Sequence, residues 1–276
     1  MKKIIIIILT IILTGCSSVN KEFYNTSEII RGNNTNSILL ENIDTTKSQF
    51  EKGYYDYQGT IDNNMPIQMS IYKLEKEIVG TYFYEKYRKE IKLQGKAGEK
   101  DIVLYEYDEK GKNTGIFQGA MKTVDKIEGT WINADNKKSY PFTLTLKSII
   151  SGAEYGKRYM VAVNTKSDQE VEDFVNKIQS YVLNDNKEQL AQEVAYPINA
   201  KVNGEITKIQ NKDDFIKNYN QIISSDFKQV ISKAFTKYLF VNWKGIMFGE
   251  GQYNIWINEV IRDESNPKLM ITAINN

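Results

Sequence analysis

Between residues 54 and 146 the chain alternates apolar and polar positions in short runs rich in Tyr, Ile, Val and Thr. Period-two alternation over five to eight residues is the signature of strands with one buried face. It predicts strands over 54–61, 67–74, 78–84, 90–94, 102–107, 115–122, 127–133 and 140–146. Turn chemistry fills the gaps, as in Asp62-Asn63-Asn64, Gly95-Lys96-Ala97-Gly98, Asp108-Glu109-Lys110-Gly111 and Ala134-Asp135-Asn136-Lys137. Eight short strands joined by hairpins predict an all-β antiparallel barrel or a small sandwich over 53–147. Gly59-Thr60-Ile61, Gly80-Thr81-Tyr82 and Gly129-Thr130-Trp131 form a weak internal echo. Glycine inside a strand marks a bulge, a bend or a close backbone approach, as a tightly curled sheet requires.

The period changes after a junction at 148–166, in which 159–163 reads as one further strand. Ser167-Asp168-Gln169-Glu170 is a capping box, and Val171, Phe174, Val175, Ile178, Tyr181 and Val182 follow it at helical spacing. A shorter helix runs from Asp185 to Val194 and stops before Pro197. Asn203-Gly204 then predicts a tight hairpin between 199–202 and 205–209. A helix over 213–223 carries Phe215, Tyr219, Ile222 and Ile223 on one face, and Ser225 starts a further turn or two. Strands over 238–248, 253–261 and 268–274 follow. The body is therefore expected as two domains, the second an α+β unit over 167–276.

The first sixteen residues have a different pattern. Lys2 and Lys3 precede an apolar run from Ile4 to Leu13, and Leu13-Thr14-Gly15-Cys16 follows it. The run is about half of the ~20 residues a bilayer span needs. Its basic start and small-residue exit suit a processed signal. These residues resemble the lipobox of bacterial lipoprotein signal peptides. That resemblance implies a signal over 1–15, diacylation of the Cys16 thiol and a mature chain that begins there. Each buried methylene contributes ~0.8 kcal/mol, so two or three acyl chains hold a membrane where one holds marginally. The expected location is lipid-anchored at a cell membrane or an outer membrane, with the body periplasmic or extracellular. Residues 16–52, with Asn33-Asn34-Thr35-Asn36-Ser37 in their midst, read as a flexible stalk.

Two looser resemblances concern the body. The strand-rich segment is similar to small secreted β-barrels of the avidin-like or lysozyme-inhibitor-like kind. The order helix, helix, hairpin, helix and three strands over 167–276 resembles the cone fold of nuclear transport factor 2 and its SnoaL-like relatives. That resemblance implies a curved antiparallel sheet wrapped over helices around a pocket.

Composition narrows the chemistry. Hydrophobic residues make up 41% and charged residues 26%, the balance of a globular body. Without Lys2 and Lys3 the basic residues fall from 36 to 34 against 35 acidic ones, and no polybasic block stands out. The electrostatic footprint of nucleic-acid binding is missing. The chain has no His and a single Cys. Ser-His-Asp and Cys-His nucleophilic sites, His- or thiolate-bound zinc and an intramolecular disulfide are thereby excluded. Any enzyme here would work with carboxylates, Tyr, Lys, Ser or an oxygen-ligated metal.

Candidate residues crowd the last hairpin, where Trp243, Met247, Phe248, Tyr253 and Trp256 either line a pocket or form the core between sheet and helices. Trp256 shares the polar face of its strand with Asn254 and Asn258, so it is the strongest single contact candidate; Tyr219 joins the set from the third helix. Asp226 and Glu259 are possible pocket carboxylates. Tyr54, Tyr55 and Tyr57 with Tyr82, Tyr84 and Tyr87 read as barrel wall or as an aromatic platform. No residue set points to catalysis, a metal or a cofactor. The sequence favours a non-catalytic envelope binding protein whose partners are the membrane through Cys16 and an envelope protein, wall fragment or small apolar ligand. The alternative is a SnoaL-like enzyme using carboxylate and Tyr chemistry.

Overall fold

The computed structural model describes residues 42–164, 167–261 and 267–276. Cys16, the signal and most of the expected stalk lie outside the described residues.

All eight expected strands form: β1 Gly53–Ile61, β2 Met65–Leu74, β3 Glu77–Tyr84, β4 Ile91–Ala97, β5 Asp101–Tyr107, β6 Asn113–Met121, β7 Lys126–Asn133 and β8 Ser139–Ser151. Each pairs antiparallel with the next, and β1 pairs with β8, so the sheet closes into an up-and-down barrel. Closure removes every edge strand. The alternation sends Tyr57, Ile61, Ile67, Met69, Ile71, Tyr82, Leu104 and Phe142 inward. Phe117 meets both Tyr82 and Phe142 edge to face, with ring centroids 5.1 Å apart in both pairs. The Gly-Thr echo has a steric cause. A Cβ at Gly59 or Gly129 would collide with the backbone carbonyl of Thr143 or Gln118 on the adjacent strand.

The stalk was expected to reach residue 52, and its last residues belong to the barrel instead. A 3-10 turn at Thr45–Lys47 is capped by Asp44, whose carboxylate accepts from the Thr46 backbone at 3.1 Å. The Gln49 amide donates to the carbonyls of Glu99 and Lys122, which lie in two turns at one end of the barrel. Phe50 is 1% exposed and packs edge-on against Tyr55 at 4.9 Å. An aromatic ring that can fill a barrel end outweighs the polar character of its neighbours in sequence.

After the barrel, the strand expected at 159–163 is a 3-10 turn, Arg158–Val161. Four helices follow: α1 Asp168–Leu183, α2 Lys187–Gln192, α3 Lys212–Ile222 and α4 Ser225–Lys233. Ser167, Asn211 and Ser224 cap α1, α3 and α4 by accepting a backbone N–H. Ser224, not Ser225, is the cap of α4. The hairpin β9 Ile198–Val202 and β10 Glu205–Ile209 turns at Asn203 and Gly204, both with positive φ as a type I′ turn requires.

The last sheet is β11 Phe240–Asn242, β12 Gly245–Glu250, β13 Tyr253–Val260 and β14 Lys268–Asn275, in that order and antiparallel. The single strand expected over 238–248 is thus two strands. The Asn242 side chain accepts from the Lys244 N–H at 2.8 Å, and Gly245 takes φ 133°, so the chain reverses at Trp243-Lys244. Helix residues Phe215, Tyr219, Ile222, Phe227 and Ile231 pack with Ile246, Phe248, Ile255 and Ile257 of one sheet face into a second core. Residues 42–276 form one compact unit. Among the described residues, no helix is long and apolar enough to cross a membrane.

Candidate functional site

The helical part meets the barrel on the outer wall of β1, β2, β3 and β8. Strand register places Asp56 of β1 opposite Ser70 of β2 on one side and Ser148 of β8 on the other. Both hydroxyls donate to the Asp56 carboxylate, at 2.8 and 2.7 Å. The wall thus presents a fixed anion, and Arg158 enters it from the 3-10 turn. Its Nη2 donates to Asp56, its Nη1 to Ser70 Oγ at 3.1 Å and its Nε to the Leu239 carbonyl at 3.3 Å. The guanidinium is 3% exposed and lies 5.0 Å from the centre of the Tyr54 ring. A buried charge is tolerated only with this degree of pairing.

A second set of contacts pins the segment after α4. The Phe235 ring stacks on Phe83 of the barrel with centroids 3.8 Å apart. The Tyr238 hydroxyl bonds to Thr81 and donates to Glu90 at 2.9 Å. Lys237 reaches Glu90 at 2.5 Å and Glu172 of α1 at 3.5 Å. Two carboxylates therefore share one ammonium. Burial, aided by the charge on Glu90 and opposed by Lys237, pushes the Glu172 carboxyl up to about 7.

This raised value has a signed consequence. Between its ordinary value of 4.5 and about 7, folded Glu172 keeps a proton that the unfolded chain has lost. Its contribution to stability therefore falls as pH rises through that window. Glu172→Gln is expected to raise the urea midpoint at pH 8, with the gain shrinking towards pH 5; an equal shift at both pH values would contradict it.

Above these contacts lies a cleft of about 210 Å³. Gln68 of the barrel, Lys233 at the end of α4, Lys237, Phe240 of β11, and Met247 and Glu250 of β12 contribute to its walls. Phe240 and Met247 are cross-strand partners, so the cleft has an apolar side and a charged rim. Such a site suits a ligand or peptide segment with an apolar part and polar ends.

The residues singled out by sequence do not converge. Met247 lines the cleft. Trp256 is its cross-strand partner on β13, half-buried on the same sheet face. Trp243 sits at the turn tip, 82% exposed, away from core and cleft lining alike. Tyr253 packs edge-on against Phe227 at 6.2 Å. Tyr219 is fully buried in the helix–sheet core, its ring flanked by Lys187 and Lys228. Asp226 is exposed in the first turn of α4, and Glu259 is half-buried on β13. The tyrosines alternate as barrel wall: Tyr55, Tyr57 and Tyr82 pack in the barrel core, Tyr54 lies against Arg158 and Tyr87 is exposed. Among the described residues, no group of three or more acidic, His or Cys side chains is gathered to hold a metal.

Sequence reasoning missed Arg158, Glu90, Lys237 and Tyr238. Their partners lie far away in the chain, and only Asp56 carried a signal, as an acid inside the Tyr-rich run Tyr54-Tyr55-Asp56-Tyr57. A scan against protein-family models and a search of curated proteins found no match.

Proposed function

We propose that the chain is a lipid-anchored cell-envelope protein that binds a partner or ligand without catalysis, using the cleft between the barrel wall, α4 and β11–β12. The observation that carries the reading is the make-up of that cleft. Barrel, helix and sheet each supply part of the lining, and the Phe83–Phe235 stack and the Glu90–Lys237–Glu172 bridge hold those parts together. Phe240 and Met247 offer apolar area, while Gln68, Lys233 and Glu250 offer polar contacts around it. Partners of matching chemistry are an envelope protein, a wall fragment or a small apolar molecule with a polar end.

We read the helices and the four-stranded sheet as a filled relative of the cone fold. A SnoaL-like enzyme needs an open pocket between helices and sheet. Phe215, Tyr219, Phe227 and Phe248, each fully buried, occupy that region with their own side chains, which supports binding over catalysis. The lipid anchor rests on the likeness of Leu13 to Cys16 to a lipobox.

The test is affinity capture of the intact protein from its own membranes, beside Cys16→Ser and Met247→Glu forms. Met247 is half-exposed, so the acid is compatible with folding, and a charge placed on the apolar side beside Phe240 is expected to weaken partner binding at least tenfold, about 1.4 kcal/mol. Capture unchanged by Met247→Glu would refute the cleft as the binding site. Membrane retention of the Cys16→Ser form would refute the anchor.

A further inference from the structure

The two ends of the barrel differ. Phe50 and Tyr55 fill one end together with the turn at 44–47. At the other end Met65, Tyr84, Ile91, Trp131 and Tyr140 pack against the core while remaining half-exposed, and they form a largely aromatic mouth. Trp131 and Tyr140 stack there, 6.0 Å between centroids and 16° from parallel.

Beneath this mouth is a carboxylate. Glu106 occupies an inward position of β5, in step with Ile102 and Leu104, and is 4% exposed. Its Oε2 accepts from the Tyr82 hydroxyl and from Trp131 Nε1, the latter at 3.0 Å. Gly115 makes the space for it. A Cβ there would stand 2.8 Å from Glu106 Oε1 and 3.0 Å from the Trp131 ring. Two neutral donors orient the group, yet among the described residues no Lys or Arg pairs with it, in contrast to Asp56. A buried anion without a counter-charge is costly unless something supplies one. The surrounding Tyr and Trp faces carry negative quadrupoles and attract cations.

We propose that this half-exposed aromatic end of the barrel is a binding site for a small organic cation, a primary or quaternary ammonium whose charge meets Glu106 and whose alkyl groups lie against Trp131, Tyr84 and Tyr140. The site is separate from the junction cleft and stands whether or not that cleft binds a partner.

Trp131 reports on the site directly. With Trp243→Phe and Trp256→Phe introduced to silence the other two indoles, the fluorescence of Trp131 is titrated with choline and with 3,3-dimethylbutanol, its uncharged isostere. A saturable change is expected with choline and at least tenfold weaker binding with the alcohol. Glu106→Gln keeps an acceptor for the Trp131 N–H and is expected to weaken choline at least tenfold while leaving the alcohol unaffected. Equal binding of choline and alcohol, or no saturable change with choline, n-butylamine or tetramethylammonium, would overturn the proposal. The cation-against-isostere comparison needs no change at Glu106, so it decides even where Glu106→Gln fails to fold.

Discussion

Arg158→Ala is expected to lower stability by about 3–5 kcal/mol, the range found when one member of a buried ion pair is removed. The loss arises less from the missing attraction than from what stays behind. Asp56 would keep its two serine donors while losing the cation that its 7% exposure requires. Leu239 would lose the donor to its carbonyl, and Tyr54 a charge lying on its ring. Urea unfolding followed by fluorescence measures the effect. The double form Asp56→Asn with Arg158→Met is expected to recover a large part of it, since neither buried charge remains. A loss under 1 kcal/mol in the single form would mean that water reaches Asp56. Because the pair joins barrel wall to the segment leading into α1, the single form is also expected to expose the 158–161 turn to proteolysis before the barrel itself unfolds.

Phe50→Ala is expected to cost about 3–5 kcal/mol, as for other fully buried aromatic side chains. The size matters for where the folded body begins. A residue in a stalk would tolerate the change within about 0.5 kcal/mol. Phe50 instead occupies the barrel end with Tyr55 and Tyr57, so its removal opens a cavity that the closed sheet cannot collapse to fill. Phe50→Leu, which retains much of the volume, is expected to lose clearly less. Thermal melting of the two variants separates these outcomes.

The barrel was legible because its evidence is local and repeated. A period-two pattern and turn residues every ten or so positions name strands without any knowledge of their partners. The Gly-Thr repeats even named three places, Gly59, Gly80 and Gly129, where a neighbouring backbone leaves no room for a Cβ. The C-terminal helices were legible for the same reason, through caps and a 3.6-residue stripe. Trp243 was misplaced because alternation runs through the 238–248 segment, whereas the reversal depends on one Asn side chain and one Gly at positive φ. Phe50 was missed because a single aromatic residue in a polar stretch has no period. Glu106 and Arg158 lie outside such reasoning altogether. What makes a charged residue belong inside is its partners, and these sit on strands 24 to 102 residues away in sequence.

The plugged barrel end also gives the molecule a mechanical polarity. Tension arriving at residue 42 from the N-terminal side meets the Asp44-capped turn, then the two Gln49 bonds to two turns at that end of the barrel, and then Phe50. Past these it enters β1, which is bonded along its length to β2 on one side and β8 on the other. A pull along β1 therefore loads two hydrogen-bond ladders in shear, with many bonds sharing the force at once. The same force applied at β14 would meet one ladder, with β13, and the two backbone bonds of Ile271 to Glu193 and Ala195. A tether at Cys16, as proposed above, would attach at the end of the body where two ladders share the load.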